Sequence, residues 1–400
     1  MRVTLVADGR SPITRRWLRS ASSAGVEFDL ISTFPCAKPP EAQGFTVIPL
    51  AFSGLAAGSG ASLGNTPAWV KRFRPLLQAA RAYLGPLTIR RQVPAYLRAL
   101  TEFKPDLVHA LRIPYEGMLA AYTPRDLPLA IFIWGNDLTL HAPSSPFLAA
   151  ATRRALSRAD GLMADAARDL TLARQWGLNE NTPLEEVPSN GGLDLAEIDT
   201  LLDNPPPAPD WLPIGRTLVL NPRGIRPAYV CQEEFFKAAA LAVQQQPDLY
   251  FLCAAMQDQP QAQAWVKENQ LEQHVRLLPL MEQRDLWALA ARCRASVSLA
   301  IHDGTPNTLL ESMACGCLPI AGDIESLRAW IKPDVNGLLV NPRDPDQAAQ
   351  AMLRAARDER FVTHARRHNR RLLEQHADMR SVSRKIAAFY QLVVDKKKKG

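Results

Sequence analysis

The stretch from His302 to Gly322 constrains this chain more than any other, because turn residues, a helix start and two spaced carboxylates all fall within it. The apolar run Ser296 to Ile301 reads as a buried strand of a parallel sheet. Asp303 and Gly304 then turn the chain. Thr305 reads as an N-cap and Pro306 as the first helical residue, so a helix is expected from about Pro306. Its first-turn amides, at Asn307 and Thr308 in particular, would lack intrahelical partners and would point to the carboxyl end of the strand, where open α/β sheets bind ligands. Such a place suits phosphate. Glu311, one to two turns on, is too far along to cap those amides but is placed to accept two hydroxyls of a ribose. Asp303, across the turn, can accept hydroxyls of a second sugar attached beyond the phosphates. The spacing suggests a nucleotide sugar. The same residues are also compatible with a plain turn, a solvated helix face and an ordinary helix exit.

The pattern is similar to the signature of the retaining GT-B glycosyltransferases of family 4, in which an acidic residue, seven intervening residues and a glutamate precede a small-residue run and a new strand. Asp303 matches the first acid, more often glutamate in that family, and Glu311 the second. Asn336-Gly337-Leu338-Leu339-Val340, followed by Pro342 and Asp344, resembles the family's closing segment. In Asn221-Pro222-Arg223-Gly224-Ile225-Arg226, Arg223 matches an arginine that the family places on the diphosphate; the lysine expected five residues later falls on Ala228, which leaves Arg226 as the second charge. Pro105 to Ala110 resembles the PDxVH segment, and Ile133 to Leu138 the HGxDL segment with Trp134 in place of histidine. His109 is therefore the remaining histidine candidate, with a core histidine closing a strand as the other reading. Asp137 can orient an acceptor. Gly9, in a first loop without the family's paired glycines, can let substrate approach the backbone. Glu325-Ser326 and Ala329 depart from residues frequent in the family on the sugar side.

The resemblance implies an α/β fold of GT-B type, two Rossmann-like doubly wound domains facing a cleft. It implies His109 and Asp303 as catalytic residues, and Arg223, Arg226, Gly304, Asn307, Thr308 and Glu311 as donor-binding residues. Gly9 and Asp137 fall on the acceptor side. A nucleoside-diphosphate sugar is the co-substrate, a glycan or lipid-linked glycan the acceptor, and no metal or other cofactor is required. Retention would follow a front-face path in which the leaving phosphate helps deprotonate the acceptor.

Residue patterns independent of the resemblance agree with two domains. A chain of 400 residues with 47% hydrophobic composition can bury two cores. Strand-like and helix-like stretches alternate from Val3 onward, as in a doubly wound sheet. The segment Asn204 to Pro209, with four prolines, reads as an extended linker, following Val187 to Asp194, which resembles the family's PNGVDL segment. The expected division is thus 1–203, a linker 204–213, and 214–400, with a final helix near Ser381 to Val394 that can cross back to the first domain. The run Lys396 to Lys399 is expected to be disordered.

The net charge of +7 is unevenly spread. From Gly44 to Thr101 there is no Asp or Glu, whereas Lys71, Arg72, Arg74, Arg81, Arg90, Arg91 and Arg98 interleave with apolar residues. Residues 66–98 thus offer a possible surface for anionic lipid, or a solvated helix pair with its apolar faces turned to the core. Nucleic acid is disfavoured, since no recognised binding module accompanies the charge. The chain opens on a strand rather than a signal peptide, and no apolar run reaches the roughly 20 residues needed to span a bilayer. Cysteines at 36, 231, 253, 293, 315 and 317 form no secreted framework, so a cytoplasmic protein, soluble or peripheral at the membrane, is expected. The glycine-bearing loop Gly54 to Gly64 lacks the third glycine of a dinucleotide fingerprint. Asp344-Pro345-Asp346 reads as a helix cap rather than a metal motif, and His364 with His368 as a solvated basic face. Two alternatives to sugar transfer stay open: a GT-B sugar-nucleotide epimerase, and a catalytically silent nucleotide-sugar or polyanion binder.

Overall fold

A computed structural model describes residues 1–51, 53, 83–226 and 229–399. They fall into two compact units, residues 1–192 with 379–400, and residues 193–378.

The first unit is built on a seven-stranded sheet in the order β3-β2-β1-β4-β5-β6-β7, where β1 is Arg2–Ala7, β2 Glu27–Ser32, β3 Ala42–Val47, β4 Leu107–Leu111, β5 Leu129–Ile133, β6 Gly161–Ala164 and β7 Leu184–Glu186. All neighbours pair in parallel. The inner strands are apolar on both faces because helices cover both. On one face Val3, Leu5, Leu107 and Phe132 pack with Trp17 and Leu18 of the helix Pro12–Ser23 and with Ile386, Phe389, Tyr390 and Val393 of the terminal helix Met379–Lys399. That terminal helix lies so close to β6 that a Cβ on Gly161 would come 2.4 Å from Val393 Cγ2, which requires glycine there. The edge strands β3 and β7 are absent from the expectation: AQGFTV and LEE carry neither a long apolar run nor clean alternation.

The second unit carries a six-stranded parallel sheet in the order β10-β9-β8-β11-β12-β13: β8 is Thr217–Asn221, β9 Leu249–Cys253, β10 Val275–Leu277, β11 Ala295–Ser298, β12 Leu318–Gly322 and β13 Leu338–Val340. Val219, Phe251 and Val297 pack on one side with Phe235 and Phe236 of the helix Gln232–Gln245; Leu218, Leu220 and Leu252 pack on the other with Leu309, Leu310 and Met313 of the helix Asn307–Ala314. Asp344 caps the helix Pro345–Arg357 by accepting from the Gln347 amide at 3.0 Å, the structural role expected of it.

Two features differ from expectation. The change of unit falls at Gly192, ahead of the proline-rich 204–213 stretch, because the helix Leu195–Asp203 buries Leu195, Ile198 and Leu201 in one cluster with Trp287, Leu289 and Leu373. Where the chain enters and leaves this unit the two passes meet, the Leu193 amide donating to the Ala377 carbonyl at 2.7 Å. Lys396–Lys399 are also not a disordered tail: the last helix runs through Lys399, and Lys397 pairs with Asp160 at 2.9 Å. Opposite charge at the helix C-terminus offsets the repulsion expected of the run. Among the described residues no helix is long and apolar enough to cross a membrane.

Candidate active site

At the carboxyl end of the second sheet, β8 runs into Pro222-Arg223-Gly224-Ile225-Arg226 and β11 into the turn before Asn307. The first loop is shaped by two buried amides. Gln232 Nε2 donates to the carbonyls of Arg223 (2.6 Å) and Gly224 (3.2 Å), its Oε1 accepts from Asn221 Nδ2 (2.8 Å), and Asn221 Oδ1 accepts from the Arg223 amide (3.2 Å). Asn221 and Gln232 are 1% and 3% exposed. This pins the backbone on which Arg223 stands, and neither residue was foreseen; an asparagine closing a strand eleven residues before a glutamine opening a helix was the available signal.

Arg223 reaches across to the β11 turn, where its Nη2 lies 2.7 Å from Asp303 Oδ2, the two side chains being 12% and 16% exposed. The other Asp303 oxygen accepts from the Gly304 amide at 3.0 Å, and Ser326 Oγ donates to the Asp303 carbonyl at 2.9 Å. Partial desolvation by the surrounding loops, which leave its side chain exposed, and the neighbouring Arg223 charge pull Arg226 below the usual arginine range, with Asp303 opposing them. Among the described residues, buried Arg223 Nε and Asn307 Oδ1 have no hydrogen-bond partner, nor has Ser298 Oγ at the end of β11. Unpaired buried donors and acceptors are costly, and these three stand on the two loops that also carry Arg223 and Asp303 or at their edge.

The helix begins one residue later than expected. Pro306 is itself the N-cap residue, at φ −68° and ψ 124°, and makes no side-chain capping hydrogen bond. Thr305 is not the cap because its hydroxyl accepts from Trp330 Nε1 at 3.0 Å. The first amides, Asn307 and Thr308, therefore receive no acceptor from the N-cap residue, and Pro222, Ser298, Pro306, Thr308 and Leu327 line a small cavity beside them. Glu311 is 5% exposed and accepts from Gln283 Nε2 at 2.8 Å, a positioning contact that sequence spacing does not reveal. Beside the same loops, the Tyr229 and His302 rings stack at 6.3 Å. The second unit thus brings together Arg223, Arg226, Asp303, Gly304, Asn307, Thr308 and Glu311 on adjoining loops and one helix.

The candidates in the first unit are placed otherwise. His109 is fully buried between Trp17 and Tyr390, its Nδ1 2.7 Å from the Tyr390 hydroxyl, which also accepts from Trp17 Nε1 at 3.0 Å. Burial holds its imidazole down at about 3, so it is neutral and enclosed within the core of the first unit. The expected catalytic role is replaced by a core one. Asp137 is also fully buried, accepting from Arg112 Nη2 (3.0 Å) and the amides of Ile113 (2.9 Å) and Trp134 (3.3 Å). It ties the loops after β4 and β5 together rather than facing an acceptor. Gly9 is buried too: its amide donates to Ser32 Oγ, and a Cβ would meet Cys36 Sγ at 2.5 Å, so the close approach it permits is of the protein to itself. Trp134, in the expected histidine position, lies under the Arg112 guanidinium at 4.8 Å.

The glycine-bearing loop 54–64, the basic residues 71–81 and Ala228 lie outside the described residues. Among the described residues, no group of three or more His, Cys, Asp or Glu is positioned to hold a metal ion. Cys315 and Cys317 are buried, and their thiols are pushed up by burial.

Two parallel sheets, each flanked by helices and with a polar loop cluster at the carboxyl end of the second, define the GT-B class. Two family models match, the glycosyl transferase 4-like domain over residues 8–189 and glycosyl transferases group 1 over residues 229–372, and the chain belongs to these glycosyltransferases. Among solved structures it is similar to sucrose-phosphate synthase from Thermosynechococcus elongatus (16% identity, 99% of this chain and 100% of that one, TM-score 0.72). It is also similar to a UDP-forming trehalose-phosphate synthase from Burkholderia xenovorans (15%, 98% and 99%, 0.71) and to Anabaena HepE in complex with UDP-glucose (16%, 97% and 98%, 0.67). No curated protein sequence matches.

The depressed His109 predicts a pH effect on stability, not on rate. Below the ordinary histidine pKa the unfolded chain takes up a proton that the folded core refuses, so stability contributed by His109 is present above about 6.5 and lost as pH falls toward 3, by up to about 1.4 kcal/mol per pH unit. Thermal unfolding from pH 7 to 4 is expected to fall less steeply in His109→Gln than in the wild type; equal slopes would show that His109 titrates normally.

Proposed function

We propose that this glycosyltransferase moves a sugar from a nucleoside-diphosphate sugar to an acceptor, with retention at the anomeric carbon and without a metal. The observation that carries this is the convergence of Arg223, Arg226, the uncapped Asn307 and Thr308 amides and the buried Glu311 on one side of one sheet. Glu311, oriented by Gln283, accepts the ribose hydroxyls; the two guanidinium groups and the amides take the diphosphate; Asp303 accepts hydroxyls of the donor sugar. The bond from the anomeric carbon to the diphosphate oxygen breaks and a bond to the acceptor oxygen forms, the acceptor proton passing to the leaving phosphate. Cationic and amide donors fixed before reaction favour the charge that grows on that phosphate, which is the work a divalent ion would otherwise do. HepE, of similar fold, is known in complex with UDP-glucose, which supports a uridine donor as the first to try.

The acceptor is proposed to be a glycan or lipid-linked glycan, met at an anionic membrane surface. In support, Tyr83, Leu84 and Leu87 are 47%, 51% and 54% exposed beside exposed Phe147, whose ring lies 6.4 Å from that of Tyr83, and Arg90, Arg91 and Arg98 are exposed on the same stretch. Apolar side chains flanked by cations suit an anionic bilayer interface.

Calorimetric titration with UDP, GDP and ADP, each with and without magnesium, is expected to show one diphosphate binding without metal and about tenfold or more weaker binding in Glu311→Ala. No binding, or equal affinity in the variant, would remove the assignment. Sugar on an acceptor, rather than an altered free nucleotide sugar, separates transfer from epimerisation. For the membrane, the protein is expected to co-sediment with vesicles containing phosphatidylglycerol but not with phosphatidylcholine alone, and Leu84→Ser with Leu87→Ser is expected to release it; indifference to lipid charge would contradict the surface assignment.

A further inference from the structure

The donor-site reading above gives Asp303 and Arg223 separate ligands, the sugar and the diphosphate. The structure shows them occupied with one another. Asp303 Oδ2 lies 2.7 Å from Arg223 Nη2, yet neither Oδ2 nor the buried Arg223 Nε makes an aligned hydrogen bond. The pair is thus held by proximity of charge rather than by the two-pronged geometry that makes arginine pairs strong. Both partners stand on backbone that is fixed independently: Arg223 by the Asn221 and Gln232 amides, Asp303 by the Gly304 amide and the Ser326 hydroxyl. Neither loop depends on the pair to keep its shape. Arg226 is close enough to feel both charges.

We propose that Asp303 is an exchangeable counterion for Arg223, so that arrival of the diphosphate frees the carboxylate for the sugar. This rests on the donor-site reading above. Without ligand, the pair spares Arg223 the cost of an uncompensated, largely buried charge. A diphosphate offers Arg223 acceptors in fork geometry together with the Asn307 and Thr308 amides, and draws the guanidinium away from Asp303. The released carboxylate, still held at its other oxygen by Gly304, then turns its free oxygen to hydroxyls of the attached sugar. Sugar recognition is in this way made conditional on diphosphate recognition, and a free sugar meets a carboxylate already engaged. By linkage the coupling is reciprocal: a donor sugar that engages Asp303 strengthens the hold of Arg223 on the diphosphate.

The consequence runs against the usual effect of deleting a site residue. Asp303→Asn removes the competitor of the diphosphate and is expected to bind the nucleoside diphosphate more tightly than wild type, by about three- to tenfold, while losing the added affinity of the nucleotide sugar over the diphosphate and losing transfer. In an Arg223→Ala background the gain is expected to vanish, since no guanidinium remains to be released. Titrating UDP, GDP, ADP and the matching nucleotide sugar into wild type, Asp303→Asn, Asp303→Ser, Arg223→Ala and the Asp303→Asn/Arg223→Ala double variant reads all of these. The serine variant guards against misfolding of the asparagine one, with thermal unfolding as the check on each. Unchanged or weaker diphosphate binding in both Asp303 variants would overturn the exchange, as would a gain that persists at full size without Arg223, which would mark mere long-range charge. Wild type that binds none of the three diphosphates removes the donor-site reading itself, an outcome distinct from either.

Discussion

Everything proposed for the second unit depends on how the helix Asn307–Ala314 starts. A helix leaves its first amides without partners, and proteins usually cover them with a serine, threonine, aspartate or asparagine side chain. Here the N-cap position is held by Pro306, which has no side-chain acceptor, and the threonine before it is engaged by the Trp330 indole. The amide donors of Asn307 and Thr308 and the positive end of the helix are thereby kept for something outside the helix. Arg223, Arg226 and Asp303 on the neighbouring loops together add one net positive formal charge to those partial charges, so the local field favours an anion.

The surrounding fold supplies rigidity rather than chemistry. The chain leaves β12 at Gly322, where a Cβ would stand 2.0 Å from the Ala300 carbonyl oxygen; this brings the chain ends after β11 and β12 into backbone contact and fixes the turn that carries Asp303. Glu311 is held at the buried flank by Gln283, from the separate helix Gln283–Ala290, and Arg223 stands on a loop tied to the Gln232–Gln245 helix by its first residue. Polar groups of one site are thus anchored by several different elements, and none relies on another for its placement. A backbone held in this way confines the change on ligand binding to the ends of side chains such as Arg223 and Asp303.

Much of this was legible in the sequence because its signals are local. A buried strand, a Gly-containing turn, a proline near a helix start and an acidic pair spanning that turn and helix depend on neighbouring residues, and the inner parallel strands follow from apolar runs bounded by turn residues. What escaped detection depends on distant parts of the chain. His109 and Asp137 lie in segments that look catalytic, yet the first is enclosed by Tyr390 from the far end of the chain and the second is consumed by Arg112 and two amides. Gly9 looks open to substrate until Cys36 and Ser32 are folded over it. The proline run at 204–209 carries no helix or strand, but the change of unit lies at Gly192, where three apolar residues of a short helix decide which core they join. Gln283 and Gln232 carry no charge and no motif; only their contacts give them a role.

The most direct test is a crystal structure of the protein with the nucleoside diphosphate that calorimetry selects. The β-phosphate is expected within hydrogen-bond reach of the Asn307 and Thr308 amides and of Arg223, with the ribose hydroxyls on Glu311 and no metal between protein and phosphate. A nucleotide seated elsewhere, or bound there through a divalent ion with Glu311 turned away, would contradict the assignment of this loop cluster as the donor site.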